Sequence, residues 1–155
     1  MVGSTDYYPH FFTATILAWK PLLRQDKYKD VITDSLRFLV QQKRVVVYGS
    51  VIMPNHIHLL WHICEGYRRE DVQRDFLKYT AQRIKADLLR DHPAVMESFK
   101  VGAKDRQYQF WKRNPLSIEI TSLASHLAET REGSEQKKQM PDLIIENSRR
   151  KKIAV

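Results

Sequence analysis

Residues 44–63 constrain this chain most. Two runs, Arg44-Val-Val-Val-Tyr-Gly-Ser-Val-Ile52 and His56-Ile-His-Leu-Leu-Trp-His-Ile63, flank the pair Pro54-Asn55. β-Branched and aromatic side chains fit a pleated, half-buried surface. Proline presets φ and asparagine tolerates turn geometry, so the pair between the runs is a turn signal. The segment therefore predicts a β-hairpin, ended by Glu65-Gly66. Two helical patterns bracket it. Over residues 25–43, Tyr28, Val31, Ile32, Leu36, Leu39 and Val40 recur at helical spacing. Over 69–90, Val72, Phe76, Tyr79 or Thr80, Ile84 and Leu88 mark a buried face. Glu70 and Asp71 complement that helix's dipole, and Pro93 follows its end. A first strand is expected over residues 10–19, closed by Pro21, and a fourth over 107–112, bounded by Asn114-Pro115. Residues 94–106 between them read as loop or a short helical piece. The order β-α-β-β-α-β predicts an α+β, ferredoxin-like fold: an antiparallel sheet with both helices on one face.

The domain is expected to span residues 1–120. Residues 121–155 lose apolar periodicity and read as a divergent tail that can be partly helical. The chain's 155 residues suffice to bury a core without staples. Its single cysteine, Cys64, excludes an internal disulfide framework and a CxxC metal knuckle. No run of about 18 apolar residues suggests a membrane span, and the stretch from Met1 to Tyr8 lacks signal-peptide character. The expected compartment is the cytoplasm. A formal net charge of +8 suits a partner with a phosphate backbone.

Residues two apart on a strand share a face. His56 and His58 should therefore project side by side, with Ile57 and Leu59 on the opposite face. Two neutral imidazoles so placed suit a divalent ion that takes a third ligand from elsewhere. Two hydrogen-bonded histidines without a metal are the competing reading. His62 keeps the same parity, as a third ligand or as a polar neighbour, and the neighbour is preferred.

The run Tyr48-Gly-Ser-Val-Ile-Met-Pro-Asn-His-Ile-His-Leu-Leu-Trp61 resembles the histidine motif of REP-associated tyrosine transposases. These are HUH-type relatives of the single-tyrosine insertion-sequence transposases. The resemblance extends to Phe11-Phe12-Thr13 in the first strand and Arg74-Asp-Phe-Leu-Lys-Tyr-Thr-Ala-Gln-Arg-Ile84 in the second helix. It continues through Tyr108-Gln-Phe-Trp111 and Ile118-Glu-Ile120, so it covers residues 7–120 in order. It implies single-stranded or hairpin DNA as partner, a homodimer, and a nucleoid-associated place in a bacterial cytoplasm. It also implies transposition and DNA recombination by nicking and joining, through a 5′-phosphotyrosine aided by Mg²⁺ or Mn²⁺. His56 and His58 carry over as the metal ligands.

The pattern departs from the family at its end. The nucleophilic tyrosine of the family lies on the last helix, beyond the position of Glu119. Here residues 121–133 read Thr-Ser-Leu-Ala-Ser-His-Leu-Ala-Glu-Thr-Arg-Glu-Gly, and no tyrosine follows Tyr108. The alternative is thus an inactive transposase remnant that binds DNA without the nucleophile. Tyr79 is the substitute catalytic candidate, weighed against a packing role on its helix. Tyr108 reads as packing. Glu129 and Gln136 are tail candidates for the metal, and His126 reads as a surface histidine. Arg74, Lys78, Arg83, Lys112 and Arg113 are the candidate DNA contacts, with a solvated face as the competing reading of the helix residues. Trp19, Trp61 and Trp111 are expected in the core rather than as stacking platforms. The cluster Arg149-Arg-Lys-Lys152 is a nucleic-acid arm or a soluble tail.

Overall fold

The computed structural model describes residues 8–121. The tail 121–155 therefore lies outside the described residues beyond Thr121, and with it His126, Glu129, Gln136 and the basic cluster at 149–152.

Strand β1 (His10–Thr15) leads through two short 3₁₀ turns, Leu17–Trp19 and Leu22–Arg24, into α1 (Asp26–Gln41). The hairpin follows as β2 (Val45–Ile52) and β3 (His56–Ile63). Next come α2 (Arg69–Asp91), α3 (Pro93–Glu97) and a small hairpin of β4 (Lys100–Ala103) with β5 (Arg106–Tyr108). Strand β6 (Leu116–Glu119) closes the main sheet. Its order is β2-β3-β1-β6, with every neighbouring pair antiparallel. That is the ferredoxin-like arrangement, with both long helices on one face.

The inner face is set by alternation. Phe12, Ala14, Ile57, Leu59, Trp61 and Ile63 are buried on it, beneath Tyr28, Ile32, Leu36 and Leu39 of α1 and Val72, Phe76, Ile84 and Leu88 of α2. Trp61 meets Phe76 with ring centroids 5.8 Å apart in an edge-on contact. Along β2 the parity changes midway: Val47 pairs with Trp61 and Gly49 with Leu60, which leaves Tyr48 as the extra residue of a β-bulge. The bulge lets Val45 and Val47 face the core while Gly49 and Val51 share the outer face with His58. Among the described residues no helix is long and apolar enough to cross a membrane.

The fourth strand differs from the expected one. Residues 107–112 do not form it; β6 does, through Phe11↔Ile118 and Thr13↔Leu116. Phe110 and Trp111 are buried, as core residues are, yet they pack on Phe99 and on α2 respectively rather than extending a strand. Trp111 donates its indole N–H to Thr80 Oγ1 at 3.1 Å and makes one isolated bridge to Ile16. The loop between α2 and this segment holds α3 and β4. On α2 the buried position is Thr80; Tyr79 is exposed. Trp19, expected inside, is 58% exposed.

The helix layer is tied by polar contacts. Tyr28 donates to Asp87 Oδ2 at 2.7 Å, and the Lys27 ammonium lies 2.6 Å from the same oxygen. These two hydrogen bonds, Lys27 first, hold the Asp87 carboxyl below its ordinary value. A carboxyl with a lowered folded value stabilises the fold above its unfolded value and loses that contribution as pH falls through the folded one. Asp87→Asn is expected to lower the urea midpoint at pH 7, and its gap from the wild type to close as pH drops below 3.8. A gap undiminished in strong acid would contradict this. Thr80→Val keeps the shape but leaves the buried Trp111 N–H without its acceptor. It should cost about 1–2 kcal/mol in denaturant unfolding; an unchanged midpoint would show that the bond holds nothing.

Candidate functional site

The outer face of the sheet carries the histidines. Because Ile57 and Leu59 fill the core, His56 and His58 must face outward, each half-buried. Their neighbours on β1 are Thr15, opposite His56, and Thr13, opposite His58. The two imidazole centroids are 4.8 Å apart with planes at 78°. Phe11 stacks on His58 at 5.3 Å.

Each ring holds a hydrogen bond through Nδ1. His56 Nδ1–H donates to Asn55 Oδ1 at 2.6 Å, and His58 Nδ1 lies 2.8 Å from Thr13 Oγ1. The amide oxygen only accepts, so it selects the tautomer of His56 whose lone pair is on Nε2. The Thr13 hydroxyl does the same for His58 when it accepts. Second-shell partners of this kind orient imidazole ligands of metals. Burial lowers the His56 pKa. Burial first, and repulsion from His56 second, push His58 down to about 4. Both rings are therefore neutral near pH 7, the form that ligates a cation.

The turn presenting them is clamped from both sides. Met53 N–H donates to His56 O, Ile16 N–H to Asn55 O and Leu23 N–H to Pro54 O, each at 2.8 Å. Thus Pro54-Asn55 is held by the two 3₁₀ turns as well as by its own hairpin. The Trp19 ring meets His56 edge-on, 6.1 Å away. On the other side of Thr15 runs the segment after Trp111: Lys112 N–H donates to Thr15 O at 2.7 Å. Trp111 is buried, whereas Lys112 is exposed and bonded through its backbone to Thr15, the residue opposite His56.

The remaining sequence-predicted residues lie elsewhere. Arg74, Lys78, Arg83 and Tyr79 are exposed on α2, and the sheet stands between them and the imidazoles. Arg74 lies 2.9 Å from Asp71 and 3.0 Å from Asp75, so its charge is compensated within the helix. Arg113 is exposed and sits 3.8 Å from Asp105. Tyr108, half-buried on β5, donates to Glu97 at 3.1 Å. His62 shares the outer parity opposite Val46, but among the described residues no group of three or more His, Cys, Asp or Glu could hold a metal. The described residues thus bring two imidazoles side by side and no third such side chain to them.

Sequence reasoning gave Thr13 and Asn55 no role beside the imidazoles and set Trp19 in the core, where it is not. A signal for the first was available. Thr13 and Thr15 alternate on a strand whose antiparallel partner carries His-x-His, so one register faces hydroxyls to imidazoles. Trp19 carried no such signal, since its exposure depends on a backbone turn.

No protein-family model matches this chain, and no curated protein matches it. Solved structures do. A REP-associated tyrosine transposase bound to a REP hairpin is similar at a TM-score of 0.53 and 16% identity, over 83% of this chain and 68% of the other. A putative transposase from Deinococcus radiodurans R1 is similar at a TM-score of 0.56 and 13% identity, over 81% and 88%. At these identities the likeness is one of architecture. The chain has the fold of solved transposases.

Proposed function

We propose that this chain is a transposase-like DNA-binding protein that receives single-stranded or hairpin DNA on the outer face of its sheet. His56 and His58 serve there as two ligands of Mg²⁺ or Mn²⁺. One observation carries the reading: both rings engage Nδ1 with a neighbour and stand together on one face, each with Nε2 left for a ligand. The divalent ion, when bound, would polarise a phosphate oxygen and orient a phosphodiester. The chain's own part is to fix the ring orientations through Asn55 and Thr13 and to keep both imidazoles neutral by burial. Lys112, beyond Thr15, adds a cation where a phosphate backbone would pass. The hairpin-bound transposase of the same fold supports DNA as the partner class. The sequence resemblance to REP-associated tyrosine transposases adds to the proposal a homodimer in a bacterial cytoplasm, near the nucleoid.

Strand nicking and joining through a 5′-phosphotyrosine is the second reading, and the fold likeness favours it. Against it stand two observations. Tyr79 lies in the helix layer behind the sheet, and Tyr108 on β5 donates its hydroxyl to Glu97. Binding without strand transfer is the reading that the described residues support best. Hairpin DNA incubated with the protein and Mn²⁺ should leave no denaturation-resistant adduct; an adduct would restore the enzyme.

Calorimetric titration with Mn²⁺ tests the metal. His56→Ala should abolish the binding heat, and Thr13→Val should weaken affinity about 10-fold or more, with circular dichroism unchanged in both. Equal titrations of wild type and His56→Ala would remove the metal site. For the DNA, Lys112→Gln should reduce the slope of log K against log salt by about 0.7 on a single strand. Arg74→Gln, whose charge is already paired, should leave that slope unchanged. The reverse order would move the DNA to the helix face.

A further inference from the structure

Tryptophan is bulky and mostly apolar, and an exposed one is uncommon without a partner. Of the three here, Trp61 is 0% and Trp111 7% exposed, while Trp19 is 58% exposed. The backbone beneath it is also unusual. Ala18 and Trp19 have φ of 55° and 56°, two successive non-glycine residues in the left-handed region. Such a conformation is strained for residues with a Cβ and persists only where the surroundings enforce it.

The surroundings do enforce it. Leu17 N–H donates to Phe110 O at 2.7 Å, and Trp19 N–H to Ile16 O at 3.0 Å. The Lys20 ammonium donates to Ser98 O and lies 4.7 Å above the Phe99 ring. Leu22 and Leu23 are buried immediately after. A relaxed loop could have turned the indole inward; this one holds it outward, edge-on to His56 at 6.1 Å. His56 is the imidazole beside the ring, with His58 4.8 Å from His56, and the exposed Lys112 is bonded through its backbone to Thr15 opposite His56. An aromatic face beside cationic and phosphate-ready groups is how single-stranded nucleic acid is held: bases stack while the backbone is neutralised.

We infer that Trp19 is a stacking platform for one unpaired base of a DNA strand whose backbone passes Lys112 and the imidazole pair. The inference rests on the DNA-binding reading above and adds the residue that would grip a base there. Since stacking needs only a π-face, the contact tolerates any base. It favours strands with an unpaired base at this point over continuous duplex.

The test compares a fluorescein-labelled thymidine oligomer with an abasic oligomer of the same length, in the presence of Mn²⁺. Binding is read by anisotropy, and stacking by tryptophan emission with unlabelled oligomers. The thymidine oligomer should quench the emission of the wild type, because Trp19 is the indole a base can reach. The abasic oligomer should bind with little quenching. Trp19→Ala should weaken the thymidine oligomer about 10-fold and leave the abasic oligomer unchanged, and Trp19→Phe should recover part of the loss. If the wild type binds the thymidine oligomer without quenching, or Trp19→Ala binds both oligomers like the wild type, the stacking role falls while DNA binding stands. If the wild type binds neither oligomer, the DNA-binding reading falls and the inference with it. The quenching arm uses unaltered protein, so a variant that fails to fold does not remove the test.

Discussion

Strand β3 allows one register, and the rest of the structure follows from that. It lies between β2 and β1, and four of its side chains, Ile57, Leu59, Trp61 and Ile63, are sealed in the core. Trp61 alone fills space against Phe12 and Phe76. A slip of one residue would expose all four and bury three histidines, so the apolar set fixes the register. The histidines are outward because the core leaves them no alternative. Their side-by-side placement is thus a consequence of packing on the far side of the sheet.

Packing fixes the face, but polar contacts fix the rings. Alternation by itself leaves each imidazole free to rotate. Asn55 and Thr13 remove that freedom from two different directions, one along the turn and one across the strand pair. The turn in its own right is held by backbone donors from Ile16 and Leu23. This links the site to the start of α1 and, through Leu17 and Phe110, to the segment that delivers Lys112. The elements that build the site are therefore far apart in the chain and meet only around one tight turn.

Much of this was legible beforehand. The hairpin, both long helices, the helix-on-one-face sheet and the outward histidines all follow from periodicity, which reports burial directly. What escaped depends on contacts that periodicity does not encode. The aromatic run ending at Trp111 looked like the fourth strand because it is apolar, yet it packs on Phe99 and α2. The true strand, Leu116–Glu119, is an edge strand with Leu116 and Ile118 exposed, so it carries no burial pattern to read. Tyr79 and Thr80 were indistinguishable by spacing; the indole N–H of Trp111 explains why the hydroxyl took the buried place. Trp19 was assigned to the core by composition, and only the left-handed backbone at 18–19 turns it out. The tail from residue 122 onward lies outside the described residues, so the sequence-based domain boundary stands as an expectation.

The claim on which the account turns is that two imidazoles share one divalent cation through Nε2. Long-range ¹H–¹⁵N spectra of the imidazole nitrogens test it directly, since the chain has six histidines to compare. At neutral pH, His56 and His58 should both appear as neutral Nδ1–H tautomers, and substoichiometric Mn²⁺ should broaden these two rings before the other four. If either ring carries its proton on Nε2, or Mn²⁺ broadens all six alike, the two side chains do not form a metal site and the account fails at its centre.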